Sequence, residues 1–151
     1  FKVGSYHFFF FFLGAREQFD NFVKNVDRSK QDIIPMVDFE KYGSEKNARK
    51  VVAELKEFCR LVKRHFGVYP MIYTNERIYN LHLYKDFKRY HLFIANYKQR
   101  SPELKGDARY TIWQFSERGR IEGVKECVDL DRFHPDFSLN SITYSKKKHK
   151  K

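Results

Sequence analysis

The alternation of apolar, strand-like segments with helical or loop segments constrains the fold of this chain more than any other feature. The strand candidates are rich in Val, Ile, Phe, Tyr or Trp, and several lack the period-two alternation of half-exposed strands. They lie near residues 2–9, 33–39, 68–74, 91–97, 109–115 and, on a weaker pattern, 124–129. Strand–helix–strand repetition predicts parallel βαβ units. The sequence therefore predicts an α/β fold, either an open sheet or part of a (β/α) barrel.

Two helices are predicted between the first three strands. Residues 15–27 carry apolar side chains at helical spacing, namely Phe19, Phe22, Val23 and Val26. Residues 45–66 carry a longer apolar stripe made of Ala48, Val51, Val52, Leu55, Phe58, Cys59, Val62 and Phe66. We expect Ser44 to be the N-cap of the second helix and Gly67 to end it.

The second strand ends in two carboxylates, Asp38 and Glu40. Residues i and i+2 of a strand point to the same face, which places these two side chains roughly 7 Å apart. Burying acids on an apolar strand is costly unless a function uses them or a cation compensates them. Glycosidic bond cleavage uses such a pair, one acid to protonate the leaving oxygen and one charge for the cationic sugar. A structural ion pair with lysines is the alternative interpretation.

Other polar and aromatic residues fall at the carboxyl ends of the predicted strands, where parallel α/β folds place functional residues. They are Tyr6, His7, Tyr73, Thr74, Asn96, Tyr97 and Gln114. Acids, amides and aromatic rings at one end of a sheet predict a carbohydrate site. Within this set we expect His7 to be a packed strand residue rather than a proton donor. Trp113 could be either a core residue or a wall of the sugar groove.

The net charge of +11 is concentrated in part at one end, because Lys146 to Lys151 contain five lysines. Such a block is most often a solvated arm, and it is attracted to nucleic acid, anionic membranes or anionic wall polymers. We expect no nucleic-acid partner, because no stacking platform with interleaved Arg or Lys is present.

The remaining composition narrows the class of protein further. The chain has 151 residues, which fits one domain with a real core. Its two cysteines, Cys59 and Cys127, do not make a disulfide framework, and Cys59 is expected to be a buried thiol, although a bond between the two stays open. The apolar run from Phe8 to Leu13 is too short to span a bilayer. No metal-ligand spacing occurs, so neither a metal nor a cofactor is expected.

Several motifs occur in an order that resembles a known family. They are Tyr6-His7-Phe8, Pro35-Met36-Val37-Asp38-Phe39-Glu40, Ile72-Tyr73-Thr74, Leu92-Phe93-Ile94-Ala95-Asn96-Tyr97, Trp113-Gln114-Phe115, and Gly123-Val124 with Val128-Asp129-Leu130-Asp131-Arg132-Phe133. Together, over roughly residues 2 to 134, they resemble glycoside hydrolase family 25, the Chalaropsis-type lysozymes, and most of all its Bacteroides-type members.

The resemblance implies a flattened, irregular (β/α) barrel of the TIM-like type. It also implies cleavage of the β-1,4 bond between N-acetylmuramic acid and N-acetylglucosamine in peptidoglycan. Glu40 would be the general acid, and Asp38 would stabilise the oxocarbenium ion or the acetamido intermediate. Asp129 matches a further C-terminal acid of the site. The positions that would shape the groove and bind substrate are Tyr6, Tyr73, Asn96, Tyr97, Trp113 and Gln114.

Two close carboxylates cannot both ionise freely, so we expect the pKa of one of them to rise. A protonated Glu40 could then donate to the leaving oxygen. Asp38, if it accepts hydrogen bonds from Tyr or Gln side chains, would stay charged.

The chain departs from the family pattern at its beginning. Family members start with a strand that bears D-V-S, whose Asp joins the active site, and a second strand follows before the Tyr-His-Phe strand. We therefore expect the first two strands to be missing here, and residues 1–137 to form a partial catalytic domain followed by an extension at 138–151.

A catalytically inactive wall-binding relative is the alternative function. The expected partner is peptidoglycan, the expected state is a monomer without a membrane span, and the expected location is secreted or cell-envelope.

Overall fold

A six-stranded sheet organises the fold in a computed structural model of the chain, which describes residues 1–145. Its strands are β1 (Tyr6–Phe8), β2 (Met36–Asp38), β3 (Met71–Asn75), β4 (Leu92–Ala95), β5 (Ile112–Gly119) and β6 (Val128–Phe133). They are neighbours in chain order, the first five parallel and β6 antiparallel to β5. The α/β class and the positions of the first five predicted strands are therefore confirmed, whereas the sixth strand begins four residues later than predicted.

The sheet is open over the residues described, so the predicted barrel is not confirmed. β1 pairs only with β2 and β6 only with β5, so each presents a free edge. A (β/α) barrel closes with eight strands, and six strands leave a gap. The first four strands are shorter than predicted, because apolar residues beyond the strand ends, such as Phe9 and Phe39, are buried in the core without belonging to the ladder.

Two helices cover one face of the sheet: α1 (Ala15–Asn25) and α2 (Ala48–Phe66). Their apolar faces meet the sheet through Phe22 and Phe58, both almost fully buried. Gly67 ends α2 as predicted, with φ of 78° and its N–H donating to Lys63 O at 2.9 Å. The start of α2 was predicted wrongly, because Ser44 begins a turn in which its carbonyl accepts from Asn47 N–H.

The remaining connections are short. Between β3 and β4 lie α3 (Glu76–Ile78), a π-helical segment (Tyr79–Leu83) and α4 (Tyr84–Phe87). Two 3₁₀ turns occupy Arg28–Lys30 and Leu139–Ile142.

The segment after β6 packs onto the domain. Ile142 and Tyr144 are buried, and the Tyr144 hydroxyl donates to Phe66 O at 3.0 Å. Thr143 forms an antiparallel bridge with Ile33. Part of the predicted extension, residues 142–144, is therefore packed against the domain. The predicted lysine arm, Lys146 to Lys151, lies outside the described residues.

Both cysteines are free thiols. Cys59 is buried in α2, where burial raises its pKa, and Cys127 is exposed, so the two are not bonded to each other. Among residues 1–145, no helix combines the length and the apolar character needed to cross a membrane.

Candidate active site

The end of β2 is held rigidly between its neighbours. Phe39 N–H donates to Tyr73 O at 2.8 Å, and Phe39 O accepts from the buried Thr74 hydroxyl at 2.7 Å. Asp38 O accepts from Phe9 N–H at 2.9 Å. Phe39 itself is fully buried on the helix side, so the residues that flank it, Asp38 and Glu40, are directed to the opposite face. These backbone bonds fix the spacing of the two acids.

Asp38 is the more enclosed of the two acids. It lies beside Phe8 of β1 and Tyr73 of β3 in the ladder, whereas Glu40 is exposed just past the strand end. The Asp38 Oδ1 atom is buried and has no hydrogen-bond partner among the described residues. Burial, and secondly the charge of Glu40, raise the pKa of Asp38 from 3.8 to about 7. The pair therefore retains a proton near neutrality more readily than two isolated carboxylates.

This arrangement corrects the expectation that Asp38 would be the group kept charged by Tyr or Gln donors. The hydroxyls of Tyr73 and Tyr97 both donate to Gln114 Oε1, each at 2.7 Å, and neither donates to Asp38. Burial strongly raises the pKa of Tyr73, with smaller contributions from Tyr97, Glu40 and Asp38. Both phenols therefore remain neutral donors, and Gln114, which is buried, presents its amide nitrogen away from them.

Two further acids reach the same face from β6. Asp131 lies opposite Gln114 in the antiparallel pair, and Asp129, two residues earlier, shares its face. Burial raises the pKa of Tyr97, and the charges of Glu117, Asp129 and Glu40 raise it further. Because Tyr97 follows β4, an acid after β2 and an acid on β6 act on the same phenol. The face thus joins Asp38, Glu40 and Asp129.

The sequence carries a signal that Asp131 lies beside Asp129. The spacing Asp129-Leu130-Asp131 puts both acids on one face of any strand. Burial and the charge of Asp129 raise the pKa of Asp131 to about 6, although the residue as a whole is exposed, so solvent screens this effect. Its placement opposite Gln114 depends on the antiparallel register, which the sequence did not reveal.

Two residues assigned to substrate binding lie elsewhere. Trp113 precedes Gln114 on β5 and faces the opposite side of the sheet, where it is buried and its Nε1–H donates to Asn96 O at 2.7 Å. Asn96 is also buried, and its amide nitrogen donates to Glu76 Oε2 at 2.6 Å. Through these hydrogen bonds both side chains hold the end of β4 in place.

The two remaining candidates lie on β1. Tyr6 shares the face of Asp38, because it stands two residues before Phe8, the register partner of Asp38, and it is 62% exposed. His7 points to the core, as predicted. It stacks on Phe58 at 5.0 Å and bonds Gln18 Oε1 at 3.1 Å, and burial lowers its pKa.

The face as a whole combines a proton-retaining carboxyl pair, neutral phenol donors and an amide, a set suited to acid–base chemistry on a hydroxylated substrate. No cluster of three His, Cys, Asp or Glu side chains with the geometry of a metal site occurs in the described part of the chain.

The raised pKa of Asp38 predicts a specific dependence of stability on pH. The folded chain binds the Asp38 proton up to pH about 7 and the unfolded chain only up to about 3.8, so stability is lost as the pH rises between these values. We expect Asp38→Asn to raise the free energy of unfolding at pH 8 by about 1–2 kcal/mol, a value reduced for partial exposure, and to change it little at pH 3. Urea unfolding at both pH values measures this.

The control for that measurement is Asp20→Asn on the exposed side of α1. Asp20 pairs with Arg16 at 3.0 Å, but both side chains are exposed and such a pair contributes only a few tenths of a kcal/mol, so this variant should alter stability little at either pH value. A D38N variant no more stable than the wild type at pH 8 would show that burial does not raise the pKa of Asp38.

The chain is similar in sequence to known proteins. A sequence model described as glycosyl hydrolases family 25 matches residues 1–124. The uncharacterized protein YegX of Escherichia coli O6:H1 is 30% identical over 131 residues, which are 87% of this chain and 47% of that protein. The chain thus spans about half the length of this relative.

Solved structures show the same likeness. A family 25 glycosyl hydrolase from Bacillus anthracis has a TM-score of 0.76 at 28% identity, over 88% of this chain and 64% of that one. A family GH25 lysozyme from Aspergillus fumigatus has a TM-score of 0.67 at 26% identity, over 87% of this chain and 67% of that one. On the family match to most of its length, this chain belongs to glycosyl hydrolase family 25.

Proposed function

We propose that this chain is a peptidoglycan hydrolase, a muramidase that cleaves the β-1,4 bond between N-acetylmuramic acid and N-acetylglucosamine. The observation that carries the proposal is the acid pair, Asp38 and Glu40, clamped at the end of β2 in a chain of family 25. The Bacillus anthracis relative is named a glycosyl hydrolase and the Aspergillus fumigatus relative a lysozyme. A muramidase acts on the cell wall, so the proposed location is secreted or cell-envelope.

Glu40 is the general acid in this proposal. It is exposed at the strand end, where a glycosidic oxygen can approach it, whereas Asp38 lies deeper. The Glu40 carboxyl gives its proton to the glycosidic oxygen as the bond from that oxygen to the anomeric carbon breaks, and the bonding electron pair leaves with the oxygen. Water then adds to the anomeric carbon, and its proton returns to the Glu40 carboxylate.

Asp38 meets the positive charge that develops on the sugar. Its unpartnered Oδ1 can accept the N–H of the 2-acetamido group, or its charge can stabilise the oxocarbenium ion directly. Either contact lowers the pKa of Asp38 from about 7, because a donated hydrogen bond and a nearby positive charge each favour the carboxylate. Asp38 thus becomes ionised as the positive charge develops on the sugar.

The residues opposite the pair complete the groove. Gln114, oriented by the Tyr73 and Tyr97 hydroxyls, presents its amide N–H groups to a sugar hydroxyl or acetamido carbonyl. Asp129 of β6 contributes a further negative charge on the side of the groove near Tyr97. Exposed Tyr6 lies at the far end of the same face.

Digestion of purified peptidoglycan tests the function. We expect the chain to release soluble fragments that mass spectrometry identifies as ending in reducing N-acetylmuramic acid. Fragments ending in reducing N-acetylglucosamine would contradict the bond assignment. Sedimentation of the chain with peptidoglycan, without any new reducing ends, would instead identify a wall-binding relative.

A further inference from the structure

Three consecutive phenylalanines after β1 remain accessible to solvent. Phe10, Phe11 and Phe12 are 40%, 38% and 67% exposed. The Phe10 and Phe12 ring centroids lie 5.5 Å apart and those of Phe11 and Phe12 5.3 Å apart, so the rings form one contiguous patch. Contiguous exposed apolar side chains on a folded domain are candidates for a binding surface.

The loop that carries these rings is fixed by one buried side chain. Gln18 of α1, only 2% exposed, donates to Phe10 O and Leu13 O, each at 3.0 Å. Its Oε1 accepts from Phe10 N–H at 2.8 Å. The loop is therefore ordered before any ligand arrives, which reduces the entropic cost of binding.

The same loop adjoins the acid pair. Phe9 N–H donates to Asp38 O at 2.9 Å. The Phe11 ring packs against Gly43 so closely that a Cβ atom on Gly43 would lie 2.9 Å from the ring. Gly43 is three residues after Glu40. Gly43 also has φ of 78°, so a side chain there would be strained on both counts. The aromatic patch and the connection that bears Glu40 are thus in direct contact.

Polar groups line the cavity beside the patch. A cavity of about 310 Å³ lies between the loop and the first turns of α2, and Phe11, Phe12, Asn47, Lys50 and Glu54 line it. Glu54 Oε2 already accepts from Ala15 N–H at 2.8 Å. An aromatic wall with an amide, an ammonium and a carboxylate suits a pyranose ring, whose apolar face stacks while its hydroxyls make hydrogen bonds. A lipid chain would leave these polar groups unpaired.

We propose that Phe10, Phe12 and this cavity form a saccharide-binding platform that holds a sugar ring of the glycan strand beyond the bond presented to Asp38 and Glu40. Its relation to the acid pair rests on the proposed function, but binding of the sugar does not require cleavage. Lys50 and Asn47 supply the donors for the ring hydroxyls, and Phe12, the most exposed ring, supplies the stacking face.

Calorimetric binding of a β-1,4-linked N-acetylglucosamine hexasaccharide tests the platform, in a Glu40→Gln background that prevents turnover. We expect the double variant Phe10→Ala/Phe12→Ala to bind about tenfold more weakly than its parent. Phe12→Tyr should retain affinity because it keeps the ring, and Phe12→Leu should lose it although it stays apolar. Leu139→Ala, which removes a 40% exposed apolar residue at the opposite end of the strands, should change nothing.

Two results would overturn the platform: unchanged affinity in the double variant, or equal affinity in Phe12→Tyr and Phe12→Leu. Circular dichroism of each variant confirms that it is folded. The proposed function is tested separately, by cleavage of peptidoglycan. A chain that binds the hexasaccharide through Phe12 but does not cleave peptidoglycan would keep the platform and lose the muramidase assignment.

Discussion

Glu40→Gln is expected to lower the rate of peptidoglycan hydrolysis at least about 10³-fold. The amide cannot donate the proton that the leaving oxygen needs, while its size and shape match those of the acid. Because Glu40 is exposed and makes no hydrogen bond with another described residue, its replacement should leave the free energy of unfolding within about 0.5 kcal/mol of the wild type. Release of reducing ends gives the rate, and urea unfolding gives the stability.

The matched control is Glu57→Gln on the outer side of α2, where Glu57 pairs with Arg60 at 3.2 Å. It makes the same chemical change far from the groove and should keep full activity. Substantial hydrolysis by the E40Q variant would remove Glu40 from the role of general acid. A loss of activity shared by both variants would point to an effect of net charge instead.

The sequence revealed the acid pair, because strand parity is enough to place Asp38 and Glu40 on one face. It could not show which acid lies deeper. That depends on Phe8 and Tyr73, which become neighbours of Asp38 only when β1 and β3 pair with β2. The raised pKa therefore belongs to Asp38, and the expected hydrogen bonds to it go to Gln114 instead.

The alternation of side chains along a strand also bears on Trp113 and Gln114, which were both expected to line the groove. Trp113 and Gln114 are adjacent on one strand, so they cannot both face the groove. In the structure the Gln114 side chain points to the groove face of the sheet, and the Trp113 side chain points to the opposite, packed face. The site face of β6, by contrast, required the antiparallel register with β5, which no local pattern specifies.

The residues of the core between the sheet and its two helices could be predicted in part from the sequence. The helical stripe of residues 45–66 identified Phe58 as a core residue, and it is fully buried. Its partners come from other elements. His7 of β1 stacks on it at 5.0 Å, and Phe9 and Phe22 contact it at 5.9 and 6.1 Å. Phe58 therefore links α1, α2 and the strand that precedes the aromatic loop.

Phe58→Ala is expected to cost about 3–5 kcal/mol of stability, because it removes a whole ring from the core and leaves a cavity among the side chains that contact it, His7, Phe9, Phe19 and Phe22. For a chain of this size the melting temperature should fall by roughly 10 °C or more. Thermal unfolding followed by circular dichroism measures the shift. The loss should be larger than that of Phe58→Leu, which keeps most of the buried volume.

Arg64→Ala, on the exposed side of the same helix, is the control that separates packing from helix propensity. It introduces the same residue into α2 without opening a cavity, so its melting temperature should stay near that of the wild type. Equal destabilisation by the two alanine variants would contradict the packing argument. A larger loss in Phe58→Ala alone would show that the ring stack from His7 to Phe22 holds the helices on the sheet, and with them the loop and strand ends that carry the site.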